Sequence, residues 1–288
     1  MRVDQIWSYP VKSMVGGTVA SAEVSMLGIV GDRRWAVRDL ERGGIRGAKQ
    51  MGGLMTLAAR EVPGYTGDTG DTGDTGDVEI DFPDGRRLTS KSPDIDAALS
   101  THLGHPVRLE ALRPADDLDH YRRGAPANDD FMVELRNIFG REESEPLPDF
   151  SVFPPEVVEF ESPPGTYHDC WPLMIMSTTA LESMRSALPD SIIDVRRFRP
   201  SVVIDTPGAT GHPEFAWAGR TARLGDATIA FESPCPRCVM VTREVADLPA
   251  DRSILRHIVR DLDQNVGIYA RVVEPGSFAT GDELRFID

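Results

Sequence analysis

Two cysteines separated by two residues, Cys235 and Cys238, precede a short apolar run, Val239-Met240-Val241, in the C-terminal third of the chain. Thiolate is a soft ligand that selects soft or redox-active metals, so this pair can take part in metal or redox chemistry. The spacing leaves four interpretations open: half of a structural zinc site, a thiol redox pair, a ligand to a metal cofactor, or two inert buried thiols.

A zinc site would need ligands from elsewhere in the chain. Cys170 is the remaining cysteine and lies next but one to His168, so these two residues and the Cys235/Cys238 pair would supply four ligands. The single residue between His168 and Cys170 fits tetrahedral zinc less well than the usual two to four. A thioredoxin-like pair needs a strand-to-helix junction, whereas the residues after Cys238 are predicted to form a strand, Cys238–Thr242.

The charge of the chain restricts its partners and draws attention to its basic residues. The formal net charge is −15, which disfavours nucleic acid and anionic membrane surfaces as partners. Only three of the 31 basic residues are lysines. Arg33, Arg199 and Arg237 stand out because they lie near apolar sequence. No P-loop, dinucleotide fingerprint, H-E-x-x-H or G-x-S-x-G motif occurs.

Length and composition predict a globular cytoplasmic protein of one or two domains. The 288 residues compare with roughly 150 per domain. No run reaches the ~18 apolar residues of a membrane span, so no span is predicted. The first residues lead directly into a predicted strand without a signal-peptide pattern. Three cysteines, an odd number, favour a reducing compartment over a disulfide framework.

The first 115 residues are typical of a small β-rich domain, because short alternating or β-branched runs are bounded by glycine and proline. One helix is predicted at Pro93–Leu103, and strands are predicted at Val3–Tyr9, Thr18–Val24, Arg34–Arg38, Val78–Phe82, Arg87–Thr89 and Val107–Leu112. Four Thr-Gly-Asp triplets at Thr66–Asp77 have no apolar anchor, which favours a solvated loop tip over a weak calcium site.

Residues 116–165 are predicted to be an acidic connecting segment with one short helix at Phe131–Phe139. Residues 166–288 form a second predicted domain, again rich in strands. Thr179 and Glu182 fit a capping box, which predicts a helix from there to about Leu188. A second helix is predicted at Arg252–Asp261, and strands at Ser201–Ile204, Thr221–Leu224, Thr228–Glu232, Val266–Val273 and Glu283–Ile287.

Several short motifs, taken in order, carry a family resemblance. They are Tyr9-Pro10-Val11-Lys12-Ser13, Gly31-Asp32-Arg33-Arg34-Trp35, Phe198-Arg199-Pro200-Ser201-Val202-Val203-Ile204, Cys235-Pro236-Arg237-Cys238, Asn265-Val266-Gly267 and Gly281-Asp282. The chain resembles the MOSC superfamily with its N-terminal β-barrel domain, the group that contains the amidoxime reducing component. The resemblance implies an α+β, β-rich fold, with an N-terminal β-barrel domain followed by a MOSC β-barrel domain with peripheral helices.

The resemblance also implies a site. In the reductase branch the family binds a molybdenum cofactor, and one cysteine thiolate completes the metal's ligand set. The matching cysteine is Cys238, which is therefore the predicted catalytic and metal-ligating residue, whereas Cys235 is assigned no chemistry. The residues predicted to bind the pterin and its phosphate are Lys12, Ser13, Arg33, Ser177, Thr178, Arg199, Ser201 and Arg237. Arginine suits a phosphate because its charge-assisted hydrogen bonds match that anion, and a helix beginning near Thr179 would offer backbone N–H groups.

Simpler interpretations of these residues stay open at this point. Lys12 can be a surface charge, and Arg33 can form a structural ion pair with Asp32 or another acid. Arg199 can belong to a solvated basic run with Arg196 and Arg197, and Cys238 can be an inert core thiol.

The implied function is that of an oxidoreductase that reduces N-hydroxylated compounds, amidoximes and hydroxylamines, by two-electron removal of oxygen. Three cysteines cannot hold a 2Fe–2S cluster, so a separate electron-donor protein is expected. The alternatives are a carrier of molybdenum cofactor or sulfur without turnover of its own, and a structural zinc protein without catalysis.

Overall fold

The computed structural model describes residues 1–62 and 76–288, and its fold is α+β and rich in strands, as predicted. The α-helices are α1 (Ile95–Leu103), α2 (Leu118–Tyr121), α3 (Phe131–Phe139), α4 (Glu156–Glu159), α5 (Thr178–Ala187) and α6 (Arg252–Asp261). Short 3-10 helices span Gly52–Thr56, Phe150–Val152, Val195–Arg197, Pro213–Trp217 and Val239–Thr242.

The strands fall into two groups along the chain. Before the acidic segment lie β1 (Arg2–Ser8), β2 (Gly17–Val19), β3 (Ser21–Ser25), β4 (Gly28–Ile29), β5 (Trp35–Asp39), β6 (Ile45–Arg46), β7 (Ala58–Glu61), β8 (Val78–Asp81), β9 (Arg87–Thr89) and β10 (Val107–Ala111). After it lie β11 (Leu173–Ser177), β12 (Val202–Asp205), β13 (Thr221–Leu224), β14 (Ala227–Pro236), β15 (Asn265–Glu274), β16 (Gly276–Ala279) and β17 (Leu284–Phe286).

The largest sheet unites the two ends of the chain. Its order is β17-β13-β14-β15-β11-β12-β1-β2, so the first strand of the chain is built into the sheet of the C-terminal half. β1 pairs antiparallel with β12 and places Val3 opposite Ile204 and Ile6 opposite Val202. β3 likewise pairs with β16. The strand pairing therefore crosses the predicted boundary at residue 115, because Val3, Ile6, Ala22 and Val24 share a core with strands after residue 200.

The remaining strands of the N-terminal half form two three-stranded sheets, β10-β5-β6 and β7-β8-β9, that enclose a second core with α1. Met240, Val245 and Leu248 from the C-terminal half are buried in the same core. This packing fixes the segment that follows the cysteine pair against the N-terminal half.

Two local predictions near the site are wrong. The residues after Cys238 form a 3-10 helix, Val239–Thr242, rather than a strand. Pro234 and Pro236 lack backbone N–H groups and shift the register of β14, so the ladder ends before Cys238. The threonine hydroxyl of Thr242 donates to the Val239 carbonyl oxygen at 2.8 Å and stabilises the turn.

The N-cap of the helix predicted from a capping box lies two residues earlier than expected. Ser177, not Thr179, is the N-cap of α5, and its Oγ accepts a hydrogen bond from the backbone N–H of Ala180 at 3.0 Å. Thr179 instead shares a hydrogen bond with Thr206, Oγ1 to Oγ1, at 2.9 Å. The hydroxyl of Thr179 is therefore engaged in a tertiary contact, and Ser177 caps the helix.

Residues 116–165 have more structure than was predicted. The helix predicted at Phe131–Phe139 is present as α3, but α2, α4 and a 3-10 turn lie beside it. Most of the Thr-Gly-Asp repeat lies outside the described residues. Across residues 1–62 and 76–288, no helix has the length and apolar character needed to cross a membrane.

Candidate active site

A cavity of about 970 Å³ lies where the two halves of the chain meet the acidic segment. Within the part of the chain that the structure describes, eight lysines and arginines line it against three carboxylates, in a protein whose net charge is −15. Such a local excess of positive charge attracts anions. Seven predicted site residues line this cavity: Lys12, Ser13, Arg33, Arg199, Ser201, Arg237 and Cys238.

Three of those seven residues have left-handed backbone conformations although none is glycine. The φ angles are 68° at Ser13, 50° at Arg33 and 58° at Arg199. Each such residue costs roughly 1–3 kcal/mol and persists only where the surroundings impose it, which is typical of ligand sites. Here Arg33 N–H donates to the Tyr9 carbonyl at 2.8 Å and Arg199 N–H donates to the Val195 carbonyl at 3.1 Å. The backbone therefore turns these side chains into the cavity at an energetic cost.

An aromatic ring organises the two arginines. The guanidinium carbon of Arg199 lies 4.2 Å from the centroid of the Tyr9 ring, and that of Arg33 lies 5.1 Å from it. Arg33 also pairs with Asp32, and the backbone N–H of Tyr9 donates to Oδ1 of Asp32 at 2.6 Å. The structural ion pair with Asp32 thus exists, and Arg33 lines the cavity as well.

Arg199 is buried, and one of its guanidinium nitrogens lacks a hydrogen-bond acceptor among the described residues. It therefore does not belong to a solvated run of basic residues. Its Nη1 donates to the Met14 carbonyl, but among the described residues its buried Nη2 has no acceptor. Burial, with the neighbouring charge of Arg33, lowers the pKa of Arg199 to about 10. An unsatisfied guanidinium nitrogen beside a second arginine is suited to an anionic ligand.

Lys12 is buried in the structure, so it is not a surface charge. Its Nζ donates to the Tyr167 carbonyl at 2.9 Å and pairs with Asp169. Lys49 binds the other oxygen of that carboxylate at 3.1 Å. Burial acts to raise the pKa of Asp169, but the two ammonium groups hold it well below its usual range. Lys49 was not predicted to be a site residue. The signal that could have found it is that the chain has only three lysines.

His168 lies beside these cations in the neutral form. Its Nδ1 is 3.3 Å from Nη1 of Arg33, and its Nε2 is 3.1 Å from the Leu27 carbonyl oxygen. Burial, followed by the charges of Arg33 and Lys12, lowers the pKa of His168 well below its usual value. The imidazole of His168 therefore helps to hold the Arg33 side chain in position.

The cysteine pair occupies one wall of the cavity. Arg237 donates through Nη1 to Sγ of Cys235 at 3.2 Å and through Nη2 to the Phe198 carbonyl at 2.6 Å. Both cysteines line the cavity; Cys235 is buried, whereas Cys238 is half-buried. Lys49 and Arg237 line the same cavity as Cys238.

The structure does not bring Ser177 and Thr178 to the cavity lining. Ser177 caps α5 and donates to Oε2 of Glu214 at 2.5 Å, and Thr178 donates to Asp205 at 3.3 Å. Both hydroxyls therefore have local structural partners. Ser201 lines the cavity, and its Oγ accepts from the Met174 backbone N–H at 3.3 Å.

The four-ligand zinc set is not assembled. In the described ranges, no three His, Cys, Asp or Glu side chains are placed to hold one metal ion. His168 is bonded to Arg33 and Leu27, as described above, and the three cysteines are all free. The structure therefore contradicts the interpretation of Cys235 and Cys238 as half of this zinc site.

The outer wall of the cavity is the feature that sequence reasoning missed most completely. It comes from the acidic segment, several of whose apolar residues line the cavity. Phe139, Phe150 and Phe153 form an aromatic cluster with centroid separations of 5.7, 6.4 and 6.0 Å. The segment is thus a wall of the site and not only a connection between domains.

Comparison with known proteins agrees with this architecture. The family model described as the MOSC N-terminal beta barrel domain matches residues 1–123, and the MOSC domain model matches residues 163–285. Proteins named mitochondrial amidoxime reducing component 2 from Bos taurus and Macaca fascicularis are each 24% identical over 317 residues, covering 98% of this chain and 82% of theirs.

Solved structures are similar at greater distance. The YuaD protein from Bacillus subtilis matches 98% of this chain and 93% of its own at 12% identity, with a TM-score of 0.42. YiiM from Geobacillus stearothermophilus matches 41% of this chain and 55% of its own at 16% identity, with a TM-score of 0.31. With both domain models matched in order, the chain belongs to the MOSC family, in the arrangement where an N-terminal β-barrel domain precedes the MOSC domain.

Proposed function

We propose that this protein binds a molybdenum cofactor in the cavity and reduces N-hydroxylated compounds such as amidoximes and hydroxylamines. The observation that carries the proposal is the convergence of Arg33, Arg199, Lys12 and Cys238 on one cavity from four distant parts of the chain. The names of the relatives support the reaction class, because both are amidoxime reducing components.

The residues present fit the proposed cofactor. A pterin phosphate needs donors that carry positive charge, and Nη2 of Arg199 is a buried donor without an acceptor among the described residues. The strained backbone at Ser13, Arg33 and Arg199 indicates side chains held in place before a ligand arrives. A molybdenum centre takes a soft thiolate ligand, which Cys238 supplies.

In the mechanism we propose, the bound cofactor supplies two-electron redox chemistry at the metal. The chain would bind and orient it: Lys12, Arg33 and Arg199 would hold the phosphate, and Cys238 would be the protein ligand to the metal. Arg237 fixes the loop that carries Cys238 by binding Cys235 and the Phe198 carbonyl. The apolar residues of the acidic segment that line the cavity would contact the body of the substrate.

The overall reaction consumes two electrons and two protons. The N–O bond of an amidoxime breaks, the oxygen leaves as water, and the nitrogen is reduced to that of an amidine. The electrons come from a separate donor protein in this proposal, since the three cysteines are too few for an iron–sulfur cluster. We also propose the cytoplasm as the location, because all three cysteines are free.

The decisive experiment combines metal analysis with two cysteine variants. Protein from a host that makes the cofactor should contain molybdenum and pterin equimolar with the chain, and should reduce benzamidoxime with a chemical reductant. Cys238→Ser should abolish reduction, since serine offers a harder oxygen ligand. Cys235→Ser is the matched control and should keep most of the activity, because a serine oxygen can accept the hydrogen bond from Arg237.

Three outcomes would contradict the proposal. Stoichiometric zinc without molybdenum or pterin would exclude the cofactor. Bound molybdenum cofactor without turnover of any N-hydroxylated compound would indicate a carrier. Equal losses in the two cysteine variants would point to a paired-thiol mechanism instead of a single metal ligand.

A further inference from the structure

One face of α3 lines the outer part of the cavity. Phe131, Glu134, Leu135 and Ile138 follow the i, i+3, i+4, i+7 spacing that places side chains on one side of a helix. All four line the cavity. Glu134 is therefore a carboxylate set in an otherwise apolar helix face.

Glu134 is buried without a partner. The residue is only 9% exposed, yet among the described residues its carboxylate has no hydrogen-bond donor or basic side chain. The other two carboxylates of the cavity are paired: Glu161 with Arg123 at 2.8 Å, and Asp169 with Lys49 at 3.1 Å. Neither carboxylate oxygen of Glu134 is among the buried polar atoms that lack a partner, so the carboxylate opens onto the cavity, where a ligand can supply a donor.

The surroundings of Glu134 define the rest of that ligand. The aromatic cluster of Phe139, Phe150 and Phe153 lines the same cavity, together with Val157 and Pro154. Aromatic side chains of this kind pack against flat apolar groups. The basic residues and Cys238 line the cavity as well, so one ligand can contact the apolar wall while its polar end faces the redox centre.

We propose that Glu134 and the aromatic cluster form the substrate subsite, and that it selects compounds with an aromatic body and a cationic or N–H-rich nitrogen group. This inference rests on the proposed function. Reduction of an aryl amidoxime breaks its N–O bond with two electrons from the donor protein and two protons, and releases water. The amidine takes one further proton, and the resulting amidinium can donate two parallel hydrogen bonds to Glu134.

Binding of the reaction product tests the subsite without turnover. Benzamidine is an aryl amidinium, and benzamide is a neutral analogue of nearly the same shape. Calorimetry on the holoprotein should show that Glu134→Gln lowers the affinity for benzamidine roughly ten- to hundredfold and leaves the affinity for benzamide unchanged. Glu159→Gln is the matched control, because Glu159 lies on α4, is exposed and does not line the cavity.

Kinetics supply a second readout. Glu134→Gln should raise KM for benzamidoxime with little change in kcat, since Glu134 holds the nitrogen group and not the reacting oxygen. Unchanged benzamidine affinity in Glu134→Gln, or an equal loss in Glu159→Gln, would overturn the subsite. Selective loss of benzamidine binding in a protein without reductase activity would uphold the subsite and refute the proposed function.

Discussion

The guanidinium of Arg199 stacks on the ring of Tyr9, with 4.2 Å between the guanidinium carbon and the ring centroid. Arg33 contacts the same ring, so one tyrosine supports two cations of the cavity. The tyrosine hydroxyl donates to the Pro200 carbonyl at 3.0 Å, which ties the ring to the residue after Arg199. Tyr9 is thus a positioning residue that keeps two like charges adjacent.

Replacement of the Tyr9 ring should therefore lower cofactor occupancy. Tyr9→Leu removes the cation–π contacts, each worth up to ~2 kcal/mol when desolvated, whereas Tyr9→Phe keeps the ring and loses only the hydroxyl. We expect less pterin in purified Tyr9→Leu than in Tyr9→Phe, measured by fluorescence of the released pterin. Equal occupancy in both variants would show that the ring does not support the arginines.

Two nearby arginines, Arg199 and Arg196, have different environments, which gives a matched test of the phosphate site. Arg199 lines the cavity, while Arg196 makes ion pairs with Asp194 and Asp247 outside it. Arg199→Ala should lower cofactor affinity about tenfold or more, because a charge-assisted bond is worth roughly 1.5–3 kcal/mol. Arg196→Ala should leave the molybdenum content unchanged, since partly exposed ion pairs contribute only ~0–1 kcal/mol.

Arg33→Ala should resemble Arg199→Ala in this assay. Full molybdenum and pterin content in both variants would mean that the phosphate lies elsewhere. Equal depletion in Arg196→Ala would mean that the losses reflect folding and not the site.

Arg33, Arg199 and Arg237 stand out in the sequence because they lie near apolar residues, whereas Lys12 and the phosphate-binding role of these residues are implied by the family resemblance. Lys49 was missed since it follows Gly47 and Ala48 in a polar turn that has no motif of its own. Ser177 was misplaced because its partner, Glu214, is 37 residues away, and no local pattern indicates that contact.

The composition of residues 116–165 gave no indication that this segment forms a wall of the cavity. The acidic residues of the 116–165 segment dominate its sequence, and its phenylalanines have no strand or helix period outside α3. Only tertiary packing shows that Phe150 and Phe153 contact Phe139. Sequence pattern predicts elements with a period, whereas irregular segments are placed by their long-range contacts.

Asp169 should stabilise the fold through Lys12. Asp169→Asn removes the negative charge that faces two ammonium groups, one of which, Lys12, is buried. The Asp169 side chain is 38% exposed, so solvent screening reduces the loss, which we expect to be about 1–2 kcal/mol by urea unfolding. Asp119→Asn, whose side chain is 93% exposed, is the control and should change stability little. Equal urea midpoints for Asp169→Asn and Asp119→Asn would contradict a stabilising role of Asp169.

His168 should make the protein less stable in acid. In the folded protein the pKa of His168 lies well below the ordinary value near 6.5. In acid, His168 therefore binds a proton more readily in the unfolded chain than in the folded protein. The stabilising contribution is therefore complete above about pH 6.5 and is lost as the pH falls below it, by about 1.4 kcal/mol at pH 5.5. In urea unfolding of the holoprotein at pH 7.5 and 5.5, His168→Gln should reduce the pH-dependent loss by that amount. An unchanged dependence in His168→Gln would show that other groups control acid stability.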